Sequence, residues 1–199
     1  MEHRYRRLLV ATTNAGKLRE IREILRPTGI ELLSLDEVGK IPEPEETGAT
    51  FAENSRLKAR YYNARTGLPS VADDSGIEID ALNGAPGVHS ARWHGEHYPT
   101  KFAVIYGELA RQGLTSSPAR FVAHVALADE GRIVFEATGT VEGEIAAEPR
   151  GSHGFGYDPI FFYPPYGRTL AEVEGMEKAA VSHRGKAFRQ LAAFFSNPR

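Results

Sequence analysis

The spacing of apolar positions changes along the chain between the period of a strand and the period of a helix. Short apolar runs predict buried strands, whereas apolar residues three and four positions apart predict helices. The helix that follows Thr50 has a capping box, because Glu53 lies three positions after the cap. The first part of the chain is therefore predicted to form strands at residues 8–12, 30–35, 69–72 and 77–82, and helices at residues 18–25 and from 50 to about 65.

The second half of the chain combines strands with two more helices. Residues 121–127 alternate with the period of a strand, with Phe121, Ala123, Val125 and Leu127 set against Val122, His124 and Ala126. A turn follows at residues 129–131 and residues 132–141 return, which predicts a hairpin. Helices are predicted at residues 101–112 and after Ser182, a residue type that favours the N-cap. Strand–helix alternation followed by a hairpin predicts an α/β fold in which helices flank a mixed sheet.

Composition narrows the class of protein. The 199 residues, 41% hydrophobic and 25% charged, fit one domain or two lobes around one core. A net charge of −2 gives no broad positive field for nucleic acid. The absence of cysteine excludes disulfides, thiolate metal sites and a Cys nucleophile.

The sequence predicts neither a membrane span nor a signal peptide. The chain has no apolar run near the ~20 residues that cross a membrane. The basic start, residues 1–7, precedes only four apolar residues, fewer than the roughly 7–15 of a signal peptide. We therefore expect a cytoplasmic protein with no membrane partner.

Two adjacent carboxylates, Asp73 and Asp74, follow the apolar residues 69–72. Carboxylates near a core are costly unless a cation lies with them, and Mg²⁺ binds one or two carboxylates together with phosphate oxygens. The side chains of neighbouring residues in an extended strand point in opposite directions. Either the two carboxylates therefore have different roles, or the backbone turns between them. The alternative is an Asx-turn that leads into a hairpin.

Two further segments are candidates for phosphate binding. The small-residue turn at residues 12–17 presents backbone N–H groups at a helix start and adds the charge of Lys17, although it also fits an ordinary Asn-capped turn. It is not a Walker A loop. Asn54 and Lys58 share a helix face after the acidic loop at residues 45–48; the alternative is a solvated loop and an exposed basic face.

The last two segments suit a flat ligand and an anion. Glycines in residues 154–158 let the backbone approach a base, on which Phe155 or Tyr157 can stack, unless these aromatics belong to the core. His183 and Arg184 begin the last helix, where cations oppose the helix dipole unless an anion binds; the alternative is a frayed, exposed turn. Together, the segments suggest a Mg²⁺–nucleoside triphosphate as ligand.

Six segments in this order resemble the Ham1/RdgB-type inosine triphosphate pyrophosphatase family. The resemblance extends from about residue 8 to residue 195, nearly the whole chain. It departs at Thr13, where Gly or Ser is usual, at His89, where Tyr is usual, and at Ala179, where Asn or Ser is common. The segments are residues 12–17, 45–60, 71–76, 84–92, 154–162 and 177–186.

The resemblance implies hydrolysis of non-canonical purine nucleoside triphosphates (dITP, ITP, XTP) to the monophosphate and pyrophosphate, by water attack on the α-phosphorus. It also implies Mg²⁺ as cofactor and a homodimer. The fold would be an elongated mixed sheet flanked by helices, one domain of residues 1–199 with two lobes and an active-site cleft between them. Direct nucleic-acid binding is not expected.

The resemblance also assigns roles to residues. The departures affect only the expected selectivity, because none removes a catalytic group. By resemblance, Thr12, Thr13, Asn14, Ala15, Gly16 and Lys17 bind the triphosphate; Glu46 and Asp74 bind the metal; Asp74 and Asp73 are catalytic, with Asp74 accepting the proton; Asn54 and Lys58 face the phosphates; Ser75 touches the substrate; and Phe155, Gly156, Tyr157, Asp158, Lys178, His183 and Arg184 recognise the base.

Two other functions fit the same residues. One is a nucleotide pyrophosphatase for other substrates, such as modified pyrimidines. The other is a nucleotide sensor without catalysis, against which the metal-competent carboxylates Glu46, Asp73 and Asp74 argue. The products formed from a panel of triphosphates separate these alternatives.

Overall fold

The computed structural model describes residues 5–196, so the first four residues of the basic start lie outside the described part. Its strands are β1 Arg7–Val10, β2 Glu31–Leu33, β3 Ser70–Ile79, β4 Pro118–Asp129, β5 Arg132–Ile145, β6 Phe161–Tyr163 and β7 Arg168–Thr169. Its α-helices are α1 Ala15–Leu25, α2 Leu35–Val38, α3 Phe51–Thr66, α4 Tyr98–Arg111, α5 Gly175–Val181 and α6 His183–Ser196.

The seven strands form one mixed sheet in the order β2-β1-β3-β4-β5-β6-β7. β1 pairs in parallel with β2 and β3, whereas β6 pairs antiparallel with β5 and β7. The β4–β5 hairpin turns at Glu130 and Gly131, whose φ angles of 48° and 76° are both positive, as a type I′ turn requires. The predicted α/β fold with a mixed sheet is therefore confirmed.

The chain divides into two compact units. The described part of the first unit comprises residues 5–74, 123–139 and 183–196, and the second comprises residues 75–122 and 140–182. In the described residues, the first unit has two buried apolar clusters, one to which α1 and α6 contribute and one to which α3 contributes. The second unit has a cluster to which α4 contributes. The expectations of a single two-lobed domain and of a cleft stay predictions.

One strand differs from its prediction. Instead of two strands that flank the carboxylates, β3 runs without interruption from Ser70 through Asp73 and Asp74 to Ile79. The expectation that a strand ends at the carboxylates, and the alternative of an Asx-turn, are both wrong. The reason is electrostatic: cations from other segments contact both carboxylates, so the strand continues through them.

Two short helices were not predicted. Residue 35 was assigned to a strand, but Leu35 begins α2 because Ser34 and Glu37 form a capping box. α5 follows Glu174 and ends before Ser182. None of the helices in residues 5–196 is long and apolar enough to cross a membrane.

Candidate active site

Asp73 lies at the centre of a buried charge cluster in the first unit. Its Oδ2 atom is 3.0 Å from the Nζ of Lys17 and 3.3 Å from the Nε of Arg184. The side chains of Asp73 and Arg184 are only 1% and 2% exposed. One carboxylate oxygen of β3 therefore joins Lys17, in the turn at residues 12–17, to Arg184 of α6.

Glu20 completes this cluster, which we call the Asp73 cluster: Lys17, Glu20, Asp73 and Arg184. Its Oε2 atom accepts a hydrogen bond of 2.6 Å from the Nη1 of Arg184. One local signal for Glu20 is present in the sequence, because this residue lies one helical turn after Lys17 on α1. Its partner, however, is 164 residues away, so the pairing was missed.

The close approach of α6 to β5 helps to place Arg184. A Cβ on Gly139 of β5 would overlap the backbone oxygen of His183 and lie 2.8 Å from the backbone nitrogen of Ala187. Arg184 thus enters the core on the first turn of α6, with protein carboxylates compensating its charge. The alternative of a frayed, exposed turn is wrong, because His183 and Arg184 are 6% and 2% exposed.

Charges set the protonation of the Asp73 cluster. Burial raises the pKa of Asp73, but the positive charges of Lys17 and Arg184 outweigh it and hold the pKa well below its usual range. Burial also lowers the pKa of Lys17, and the charge of Arg184 acts in the same direction. Asp73 is therefore a fixed anion at neutral pH.

Asp74 has a different environment. Its Oδ1 atom is 3.7 Å from the Nζ of Lys58, and its Oδ2 atom accepts a hydrogen bond of 3.1 Å from Asn54. Lys58 also donates to Glu46 at 2.7 Å, so one ammonium contacts both carboxylates. Burial raises the pKa of Asp74, and the nearby lysines offset this only in part. A raised pKa makes Asp74 the better proton acceptor of the two aspartates.

Asn54 holds the acidic loop against α3. Its side-chain oxygen accepts a hydrogen bond of 2.8 Å from the backbone nitrogen of Gly48, and its amide donates to Asp74. A Cβ on Gly48 would lie 2.6 Å from that same oxygen, so glycine is needed there. Asn54 is fully buried, and it links the loop that carries Glu46 to β3.

The turn at residues 12–17 has the geometry of a helix cap. Asn14 accepts a hydrogen bond of 3.0 Å from the backbone nitrogen of Lys17, and Thr12 accepts one of 3.2 Å from that of Asn14. Thr13, Asn14 and Ala15 are exposed. The Asn-capped turn is thus present, and binding of a phosphate by this turn stays a prediction.

The second unit contains the glycine-rich segment. Asp158 Oδ2 accepts hydrogen bonds from Lys178 Nζ at 2.6 Å and from the backbone nitrogen of Phe155 at 2.8 Å. Lys178 Nζ is also 4.8 Å from the centre of the Phe155 ring. The segment therefore folds around a buried ion pair, with Phe155 half-buried above it.

The two aromatics of this segment have different surroundings. Tyr157 is 4% exposed, and its ring centroid lies 5.3 Å from that of Tyr98 and 6.2 Å from that of Phe102. Tyr157 therefore fits the core alternative, which leaves Phe155 as the candidate for stacking on a base. Gly156 has a φ of 70° and lies between them.

The structure thus groups the predicted residues in two places. The first unit brings together Lys17, Glu46, Asn54, Lys58, Asp73, Asp74 and Arg184. The second unit brings together Phe155, Asp158 and Lys178, and Ser75 is its first residue. Within residues 5–196, no group of three or more His, Asp or Glu side chains is arranged to hold a metal ion.

Fold and site define an α/β protein in which a central strand carries two carboxylates with opposed electrostatic environments. The Ham1 family model matches residues 8–194, and the chain belongs to the Ham1 family. It is similar to a protein named dITP/XTP pyrophosphatase from Exiguobacterium sp., with 46% identity over 94% of this chain and 95% of that one.

Two further comparisons agree. The protein named dITP/XTP pyrophosphatase from Geobacillus kaustophilus is 44% identical over 92% of this chain and 91% of its own length. The solved structure of a HAM1 protein from Coxiella burnetii is 41% identical, has a TM-score of 0.87, and covers 96% of this chain and 98% of its own. The family resemblance read from the six sequence segments is therefore confirmed.

Proposed function

We propose that this protein hydrolyses non-canonical purine nucleoside triphosphates, of the dITP and XTP type, to the monophosphate and pyrophosphate. Relatives that share nearly the whole chain are named for this activity. The observation that carries the proposal is the asymmetry of the two aspartates: Asp73 is a fixed anion between two cations, whereas Asp74 has a raised pKa beside Glu46 and Lys58.

In the proposed reaction, a water molecule attacks the α-phosphorus and pyrophosphate leaves. Asp74, which lies beside Glu46 and Lys58, orients this water and accepts its proton. Lys17 and Lys58 bind the phosphate oxygens, on which negative charge accumulates. Asp73 orients Lys17 through their ion pair, so the two carboxylates divide the work.

The carboxylates fit a divalent cation. The ammonium of Lys58 contacts both Glu46 and Asp74, so a positive charge is stabilised between these two side chains. Mg²⁺ binds one or two carboxylates and takes its remaining ligands from water and phosphate. Glu46 and Asp74 would therefore hold Mg²⁺ while Lys58 turns to the phosphates. Bound Mg²⁺ neutralises charge on the phosphates.

Base recognition is proposed for the second unit's ion pair and for the start of α6. A 6-oxo group accepts hydrogen bonds, whereas the 6-amino group of adenine donates them. Lys178 is a donor that can favour the oxo group, and Phe155 offers a ring for stacking. Sites whose buried polar groups mismatch a ligand discriminate by up to ~10⁴-fold. His183 and Arg184 keep their predicted role here.

Two further parts of the proposal concern the assembly, for which the family resemblance implies a dimer, and the location. We propose a homodimer, which sedimentation equilibrium checks through the mass of the particle. We also propose a cytoplasmic location, which the lack of cysteine supports.

A product assay tests the proposed function. The purified protein is incubated with Mg²⁺ and, separately, with ITP, dITP, XTP, ATP, GTP and modified pyrimidine triphosphates. We expect pyrophosphate and the monophosphate from the first three and at least tenfold lower kcat/KM for ATP and GTP, because the base site favours a 6-oxo group without a 2-amino group. Chromatography of the nucleotides and a pyrophosphate assay measure both products.

Other results would assign another function. Release of orthophosphate instead of pyrophosphate would rule out attack at the α-phosphorus. Preference for a modified pyrimidine would favour the other pyrophosphatase activity, and binding without any product would favour a nucleotide sensor. A reaction without divalent cation, with chelator present, is the matched control for the proposed Mg²⁺.

A further inference from the structure

Lys101 on α4 is a buried lysine that none of the roles above uses. It is fully buried in the second unit, and its ammonium donates hydrogen bonds to the backbone oxygens of Ser90 at 3.0 Å and Ala91 at 2.5 Å. No carboxylate of residues 5–196 lies within 4 Å of this ammonium. Because buried charges are costly unless paired, a lysine here needs an explanation beyond packing.

The groups that contact the ammonium are neutral, and the charge of Glu96 acts on it only from farther away. Its Nζ atom lies 4.4 Å from the centre of the Tyr98 ring and 5.7 Å from that of Tyr157, distances at which cations and aromatic faces attract. Burial lowers the pKa of Lys101, and the charge of Glu96 counteracts this in part. The lysine therefore connects backbone carbonyls with two aromatic rings.

Ser90 joins Lys101 to the glycine-rich segment. The Ser90 carbonyl that accepts from Lys101 also accepts a hydrogen bond of 2.8 Å from the hydroxyl of Tyr157. Tyr157 directly precedes Asp158, the partner of Lys178. The position of one carbonyl oxygen thus depends on Lys101 and, in turn, anchors the segment proposed to recognise the base.

Ser90 also joins this arrangement to β3. Its hydroxyl accepts a hydrogen bond of 2.9 Å from the backbone nitrogen of Ile77 and donates one of 2.6 Å to the oxygen of Gly87. A Cβ on Gly76 would overlap both that oxygen and the Ser90 hydroxyl. The turn at residues 87–91 therefore packs closely against β3 at Gly76, the residue that follows Ser75.

We propose that Lys101 is a positioning residue for base selectivity. By fixing the Ser90 carbonyl, it holds Tyr157 and, through the chain, the Phe155 ring and the Asp158–Lys178 pair at the spacing that fits a 6-oxopurine. A methionine would fill the same space without burying a charge. It would leave the Ala91 carbonyl without this donor and the Ser90 carbonyl with only the Tyr157 hydroxyl, so the segment would lose its fixed position. The inference rests on the proposed function.

The experiment compares Lys101→Met with wild type and with Lys40→Met, in which an exposed lysine of the first unit is replaced. We expect Lys101→Met to lower the ITP-over-ATP ratio of kcat/KM by about tenfold or more, because an unsatisfied buried carbonyl has about that effect. The effect should appear more in KM than in kcat. Lys40→Met should match wild type, and Lys101→Arg should restore part of the ratio.

If Lys101→Met does not fold, a second variant tests the same proposal. Tyr157→Phe keeps the ring but removes the hydroxyl that bonds to Ser90, and it should lower the same ratio. A lower melting temperature with an unchanged ITP-over-ATP ratio in either folded variant would overturn the positioning role. A wild-type protein that releases no pyrophosphate would refute the proposed function instead, so the two failures are distinguishable.

Discussion

Replacing Asp74 by Asn is expected to lower kcat for pyrophosphate release by about 10²–10⁴-fold, the usual effect of losing a general base. The amide keeps the size of the carboxyl but cannot accept a proton from water. Because burial already disfavours the Asp74 anion, the neutral amide should leave the fold intact. Steady-state kinetics with ITP and Mg²⁺, together with circular dichroism, measure both expectations.

The same substitution at Asp80 is a matched control. Asp80 is exposed, and its carboxylate forms an ion pair of 3.1 Å with Arg120. Asp80→Asn should keep kcat within about twofold of wild type, as is usual for surface changes. Turnover of Asp74→Asn close to that of Asp80→Asn would remove Asp74 from the role of proton acceptor.

Local sequence signals predicted most of the fold. The capping box at Thr50 and Glu53 placed the start of α3 correctly, and the alternation around the turn at residues 129–131 predicted the β4–β5 hairpin. β3 was predicted as two strands because the sequence shows two charges in an apolar run. It does not show that Arg184, 111 residues away, neutralises one of them.

The residues of the candidate site also differ in whether local sequence signals or only tertiary contacts reveal them. Residue types and spacing were enough to select Lys17, Lys58 and the two aspartates, because each lies in a segment with its own pattern. The roles of Glu20 and Lys101 could not be predicted, since both depend on tertiary contacts: with Arg184 in one case and with backbone carbonyls in the other. Such contacts leave no periodic trace in the sequence.

Asp73→Asn is expected to act on stability, in contrast to the same change at its neighbour. Removing this anion leaves Lys17 and Arg184 close together in a buried site, with Glu20 as their remaining partner in the cluster. Breaking a buried ion pair from one side typically costs about 3–5 kcal/mol. Urea unfolding at pH 7 should show a loss of that size for Asp73→Asn, and none for Asp74→Asn.

The pH dependence of that loss tests its electrostatic origin. The pKa of Asp73 is lower in the folded protein than the ~3.9 of an unfolded chain, so its stabilisation is fully present well above pH 4 and is lost as the pH falls. The difference in unfolding free energy between wild type and Asp73→Asn should therefore shrink below about pH 4.

The double variant with Lys17→Met should recover part of the loss at pH 7, because it removes one of the two buried cations. A difference that stays constant from pH 7 to pH 3 would mean that packing, rather than charge, explains the conformation of Asp73. In that case the assignment of Asp73 as a fixed anion beside Lys17 would have to be abandoned. The proposal that the two aspartates have different roles depends on that assignment.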